Sequence, residues 1–330
     1  MLARKLKQGV AMRGVLAVFL ACLTGSSTLA AAQPVLQAPP VQEQRPTFKA
    51  TVQRVAVAAV VRDRKGRPVT DLKETDFQLF DGGEPRKIID FRTETTPVSV
   101  ALLVDFSGSM DVAVKREAAH EISWHLLSWL KGKDEVGLFA FDKTLQEIEP
   151  FGPAPGNVLK KLEVLRPFGA TSLFDAIAET GRILASQSGP RRAIVALTDG
   201  ADNASRLTAE QVSGIASGID VPVYIVLVIS PLDRAGTSTV NEDQIDALQA
   251  GRLGDLARWT GGEIFAAVGP SVTSQAARQI VTELRHQYLL AFEPSTRPGW
   301  HPIELRTRDN EHIVRARSGY FVRNGTPDTW

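Results

Sequence analysis

Cysteine is almost absent. Cys22 is the single one among 330 residues, and it falls in an N-terminal segment that reads as removable. The mature chain would then have no disulfide framework, no thiol nucleophile and no cysteine zinc site. Histidine is scarce too. The five are His120, His125, His286, His301 and His312. The first two are five apart on one predicted helix and so on different faces, and the others lie late in the chain. No Gly-x-Ser-x-Gly elbow, no His-Glu-x-x-His pair, no P-loop and no dinucleotide glycine fingerprint occurs. Together these absences argue against an enzyme. Charge of one sign is also missing: the net value is +1. The first 32 residues hold Arg4, Lys5, Lys7 and Arg13 and no acid, so the rest of the chain sits four lower, at −3. A weakly acidic body has no basic footprint for nucleic acid.

What is present begins with a targeting pattern. The basic start leads into "GVLAVFLACL" and then "TGSSTLAAAQ", the order of a secretory signal, with Ala30 and Ala32 before a cut at Gln33. The apolar run is shorter than the roughly 18 residues that a membrane span needs. The expectation is an exported protein, periplasmic or extracellular, without a span after cleavage; an uncleaved signal would leave it membrane-anchored. Apolar residues at 43% and charged residues at 23% suit a chain with a substantial core.

The expected organisation is a signal over 1–32, a Pro/Gln-rich lead-in over 33–49, a β segment over 50–96, an α/β domain over 97–287, a second β segment over 288–323 packing with the first, and a tail over 324–330. In the first β segment "VQRVAVAAVVRD" is a strand, and "DFQLFDGGEPRKIIDFRTE" reads as two strands about a Gly-Gly turn. From Pro97, apolar strands alternate with helices for about 190 residues, which predicts a doubly wound, Rossmann-like, mostly parallel sheet. A helix is expected over about 111–131 with Val114, Ala118, Ile122, Leu126 and Leu130 along one face, another opened by a Thr171 or Ser172 cap, one over "DALQAGRLGDLARWTGG", and a last one over "SVTSQAARQIVTELRHQ". Strands then return, so the α/β domain would be inserted in a small β-sandwich-like unit.

The candidate site lies in "LLVDFSGSM". An apolar strand buried on both faces ends at Asp105, at the sheet end where doubly wound folds bind ligands. If the chain continues extended, Asp105, Ser107 and Ser109 point to one side. One carboxylate and two hydroxyls form a hard donor set suited to Mg²⁺, Mn²⁺ or Ca²⁺. "FGATSLFDAI" brings Thr171, and "IVALTDGADN" brings Asp199 just after another buried strand.

Asp-x-Ser-x-Ser, a central Gly-x-Thr-Ser and a later Leu-Thr-Asp-Gly, in that order, resemble the von Willebrand factor A domain and its metal-ion-dependent adhesion site. The resemblance spans about residues 97–287. It implies that Asp105, Ser107, Ser109, Thr171 and Asp199 hold a divalent metal. It also implies that an Asp or Glu of a partner protein completes the coordination. The flanks, with the closing "VRARSGYFV", resemble the exported von Willebrand A-related proteins of acidobacteria and their relatives. Two carboxylates leave the metal electropositive, which favours an incoming carboxylate.

Other readings of these residues stay open. Ser107 and Ser109 would equally serve as helix caps, and Asp199 with Gly200 as a turn. Asp175 is either an acceptor behind the metal ligands or a solvated acid. Asp202 and Asn203 read as loop residues, with Asp202 at most on the ligand rim, and Phe106 and Met110 as packing or rim residues. For the whole chain, the alternatives to metal-dependent docking are an envelope scaffold whose metal only ties loops together and, more remotely, a metal-dependent hydrolase.

Overall fold

The computed structural model describes residues 54–93, 97–154, 156–187, 189, 191–218, 220–228, 251–267, 270–323 and 326–327. The signal, the lead-in and the start of the helix expected from 246 lie outside the described residues. In the first β segment, VAVAAVVR alternates partly between core and solvent and forms β1 (Val55–Arg62). FQLFD does so fully as β2 (Phe77–Asp81). After the Gly82-Gly83 turn the single strand expected is in fact two, β3 (Glu84–Arg86) and β4 (Ile88–Arg92). The chain changes sheet at Lys87: β3 pairs with β2, whereas β4 pairs with β11 (Tyr288–Phe292).

The α/β part opens with β5 (Val98–Asp105), buried at all eight positions. It continues through α1 (Ala113–Trp129), β6 (Glu135–Phe141), β7 (Leu145–Pro153), α2 (Val158–Val164), α3 (Leu173–Ala185), β8 (Arg191–Thr198), α4 (Ala209–Gly218), β9 (Val223–Val228), α5 (Arg252–Thr260), β10 (Ile264–Ala267) and α6 (Pro270–Arg285). Six strands form one sheet in the order β10-β9-β8-β5-β6-β7, parallel except for the edge strand β7. Val98, Val100, Leu102 and Val104 face one core with Ile122 and Leu126 of α1 and Ile280 of α6. Ala101 and Leu103 face the other with Ile177 of α3, Val212 of α4 and Leu256 of α5. Helices thus cover both faces, as the unbroken apolar strands require.

The chain leaves β5 toward β6 on one side and returns to β8 on the other. Strand order reverses there, and a crevice opens at the carboxyl end of β5.

The last strands are β12 (Gly299–Thr307), β13 (Ile313–Ala316), β14 (Gly319–Arg323) and β15 (Thr326–Pro327). They join the first ones in two antiparallel sheets, β13-β1-β11-β4 and β15-β14-β12-β2-β3. Val55 and Val57 of one sheet share a core with Leu79, Leu305 and Val322 of the other. The fold is a doubly wound α/β domain inserted between the two ends of a small β-sandwich.

Candidate metal centre

Asp105 ends β5 with 1% of its surface exposed. Its Oδ1 accepts the Ser107 amide at 2.9 Å and its Oδ2 the Thr198 hydroxyl at 2.7 Å. Thr198 closes β8, the neighbouring strand, and its hydroxyl oxygen accepts the Gly200 amide at 3.1 Å. Gly200 holds φ at +87°, a conformation that side chains resist. Thr198 thereby links the Asp105 and Asp199 loops.

The chain is extended at Ser107, with φ −69° and ψ 165°, but then coils into a 3-10 turn over Gly108–Met110. Ser109 therefore does not reach the site by strand alternation, as the sequence suggested. The turn brings its hydroxyl to 3.1 Å from that of Ser107.

The central loop is strapped to this one by backbone bonds. Phe168 N–H donates to Phe106 O at 2.8 Å and Gly108 N–H to Gly169 O at 2.9 Å. Thr171, 1% exposed, follows directly. Its amide donates to the Asn203 side chain at 2.9 Å, and its carbonyl accepts the amides of Asn203 and Ala204 at 3.1 and 3.0 Å. Asn203 is more than a loop residue: it holds the Thr171 and Asp199 loops together.

The cap of α3 also differs from expectation. Ser172 stands at the N-cap without a side-chain bond. The Ser205 hydroxyl accepts the Phe174 and Asp175 amides instead, at 3.0 and 3.2 Å. Asp175 accepts the amides of Arg206 and Leu207, and Asp202 accepts that of Ser205. Both carboxylates thus shape the Asp199 loop. Met110 is buried in the core, and Phe106 packs partly against it.

Asp199 carries the least expected contact. Its Oδ1 accepts the Ala201 amide at 3.1 Å, and its Oδ2 accepts Lys115 Nζ at 2.9 Å. Lys115 is 3% exposed and also donates to Ser109 O at 3.0 Å. The buried register of α1 is Lys115, Ala119, Ile122 and Leu126, and Val114, expected in the core, is 43% exposed. A lysine in line with buried positions at i+4, i+7 and i+11 was the sequence signal for this contact.

Burial raises the Asp105 carboxyl above its ordinary value. Bonds from Ser107 and Thr198 offset only part of this, and Asp199 adds repulsion. Burial also pushes Asp199 up, but hydrogen bonds from Ser109 and Lys115 outweigh it and hold that carboxyl below the usual range. Among the described residues no group of three or more His, Cys, Asp or Glu gathers as a metal site. The donor set here is two carboxylates with hydroxyls, which fits a hard cation and not zinc.

Residues 100–201 match the family model of the von Willebrand factor type A domain. The similarity to von Willebrand factor type A domains lies in this part of the chain. No curated protein matches the chain. Among solved structures the chain is similar to an aerotolerance-related membrane protein from Bacteroides fragilis, at 23% identity and TM-score 0.44, over 57% of this chain and 98% of that one. It is also similar to a von Willebrand factor type A protein from Catenulispora acidiphila, at 13% identity and TM-score 0.45, over 82% and 75%. The PilB minor pilin from Streptococcus sanguinis aligns at 16% identity and TM-score 0.42, over 59% and 63%. Among the described residues no helix is long and apolar enough to cross a membrane.

Proposed function

We propose that the von Willebrand factor type A domain is an exported docking module that receives an Asp or Glu of a partner protein on a divalent cation, Mg²⁺, Mn²⁺ or Ca²⁺. Asp105, Ser107, Ser109, Thr171 and Asp199 would hold the ion. Its chemistry there is that of a Lewis acid with a position left for an outside carboxylate. The observation that carries this reading is the direct linkage of Ser107 to Asp105 and of Ser107 to Ser109 at the switch point of the sheet. A cleft of about 740 Å³, lined by Asp105, Phe106, Arg116, His120 and Arg166 among others, opens beside it. It gives room for the residues that flank such a carboxylate.

The scaffold alternative gives the metal the task of tying the loops. The loops are already tied by the chain itself, through Phe168 to Phe106, Gly108 to Gly169 and Thr171 to Asn203. That leaves recognition as the better use of an ion here. Export rests on the N-terminal signal pattern.

Two measurements test the reading. Titration calorimetry should detect Mg²⁺ or Mn²⁺ in the wild type and none in Asp105→Ala with its fold retained; equal affinity in both would overturn the site. Capture of the partner from envelope extract should need Mg²⁺ and be abolished by EDTA, whereas a scaffold would lose only thermal stability.

A further inference from the structure

Lys115 is a full positive charge in the wall of a site meant for a cation. It does not reach in from solvent. It rises from the first turns of α1, stays 3% exposed, and places Nζ 2.9 Å from Asp199 Oδ2 and 3.0 Å from Ser109 O. Asp199 and Ser109 are two of the five residues assigned to the metal, and the Ser109 hydroxyl itself bonds to Asp199. An ammonium so enclosed repels a second cation at short range, and little water intervenes to screen it.

We infer that Lys115 is a built-in competitor for the metal, a positioning residue that keeps the affinity of the free domain for a divalent ion low. The inference rests on the metal reading above. Its physical content is a charge count. Asp105 and Asp199 supply two negative charges, and Lys115 cancels one. A divalent ion would leave the centre net positive with the protein alone, and a partner carboxylate would bring it to neutrality. Without Lys115, the two aspartates would neutralise the ion by themselves and the call for an outside anion would weaken. The lysine thus ties retention of the ion to the arrival of a carboxylate, a coupling between two ligands of one site. In the metal-free domain the same ammonium keeps the buried Asp199 carboxylate paired.

Mn²⁺ alone, titrated calorimetrically into the full chain without its signal, tests this. Lys115→Met removes the charge and keeps an unbranched side chain. Lys115→Gln removes the charge and keeps a donor toward Asp199, and it serves if the methionine variant unfolds; thermal melts check both. The expected result is Mn²⁺ binding at least about tenfold tighter in both variants than in the wild type. Wild-type affinity or weaker binding in folded variants, beside measurable binding in the wild type, would overturn the role of Lys115 and leave the metal reading standing. Absence of Mn²⁺ binding in all three proteins would overturn the metal reading itself.

Discussion

The two ends of the central sheet solve the burial of charge in opposite ways. At the carboxyl ends of the strands, Asp105 and Asp199 are served by hydroxyls, backbone amides and one lysine. At the amino ends, acids and arginines interlock. Glu283 of α6, 2% exposed, pairs with Arg62 of β1 and Arg315 of β13 and accepts the Tyr224 hydroxyl at 3.0 Å. Arg62 and Arg315 also share Glu263 just before β10. Arg317 pairs with Asp220 at 3.7 Å and donates to Ala56 O. Arg191, fully buried at the start of β8, donates to the last carbonyls of α6, Leu284 O and Arg285 O, at 3.0 Å each. Arg285 reaches Asp134 at 2.5 Å. One end is assembled from mostly neutral donors around two aspartates. The other is closed on itself and joins the α/β domain to the sandwich.

The largest expected effect breaks the closed end. Glu283→Ala leaves Glu263 as the one carboxylate facing both Arg62 and Arg315, which are mostly buried, and a change that breaks buried charge pairs costs about 3–5 kcal/mol. Denaturant unfolding should show a loss in that range. A loss below about 1 kcal/mol would mean that solvent screens the network and that the contrast between the ends is false.

Gly262 comes next. A methyl group there would sit 2.0 Å from Val223 O and 2.9 Å from Val223 N, both backbone atoms that cannot turn aside. Gly262→Ala should cost about 1–3 kcal/mol by overpacking, with metal affinity unchanged because the site lies at the far end of β9. A coupled fall in Mn²⁺ affinity would show that the two ends do communicate.

At the open end the expected stability effect is small. Asp105→Asn removes a charge that burial already disfavours and keeps one oxygen to accept from Ser107 or Thr198. Without metal, stability should change by less than about 1 kcal/mol, while Mn²⁺ binding is lost. A large destabilisation in EDTA would make Asp105 a fold residue first.

What the sequence disclosed follows the same division. β5 was legible because a strand buried on both faces is apolar at nearly every position, so its end, and Asp105 with it, stood out. Thr171 and Asp199 could be placed because each adjoins an equally plain element, Thr171 in the turn that enters α3 and Asp199 just after β8. The switch of sheet at Lys87 was not, since β3 and β4 read as one run and only distant partners, β2 and β11, separate them. Lys115 was passed over because an amphipathic helix of modest contrast admits two neighbouring registers, and the one containing Val114 looked more apolar. The closed end left no local signature at all. Its arginines and acids lie up to about 220 residues apart in the chain, and each by itself looks like an ordinary surface charge.

The smallest expected effect concerns motion. A displacement of α6 on ligand binding would couple the metal loops to the sandwich, since α6 runs directly into β11. The contacts at its C-terminal end oppose this. Glu283 is held by two strands of the sandwich, Arg285 by Asp134 and Trp129 O, and the final carbonyls by Arg191. Sliding the helix would break these bonds together, and a ligand can shift a two-state element only by its differential affinity for the two states. A carboxylate and an ion bound at the opposite end of the sheet, as proposed, would touch none of these groups. Amide hydrogen exchange over residues 271–285 should therefore be the same in the metal-free protein, with Mn²⁺, and with Mn²⁺ plus a carboxylate-bearing partner. The loops at 105–110 and 199–205 should gain protection. A change of tenfold or more in the last two turns of α6 would turn the closed end from an anchor into a switch.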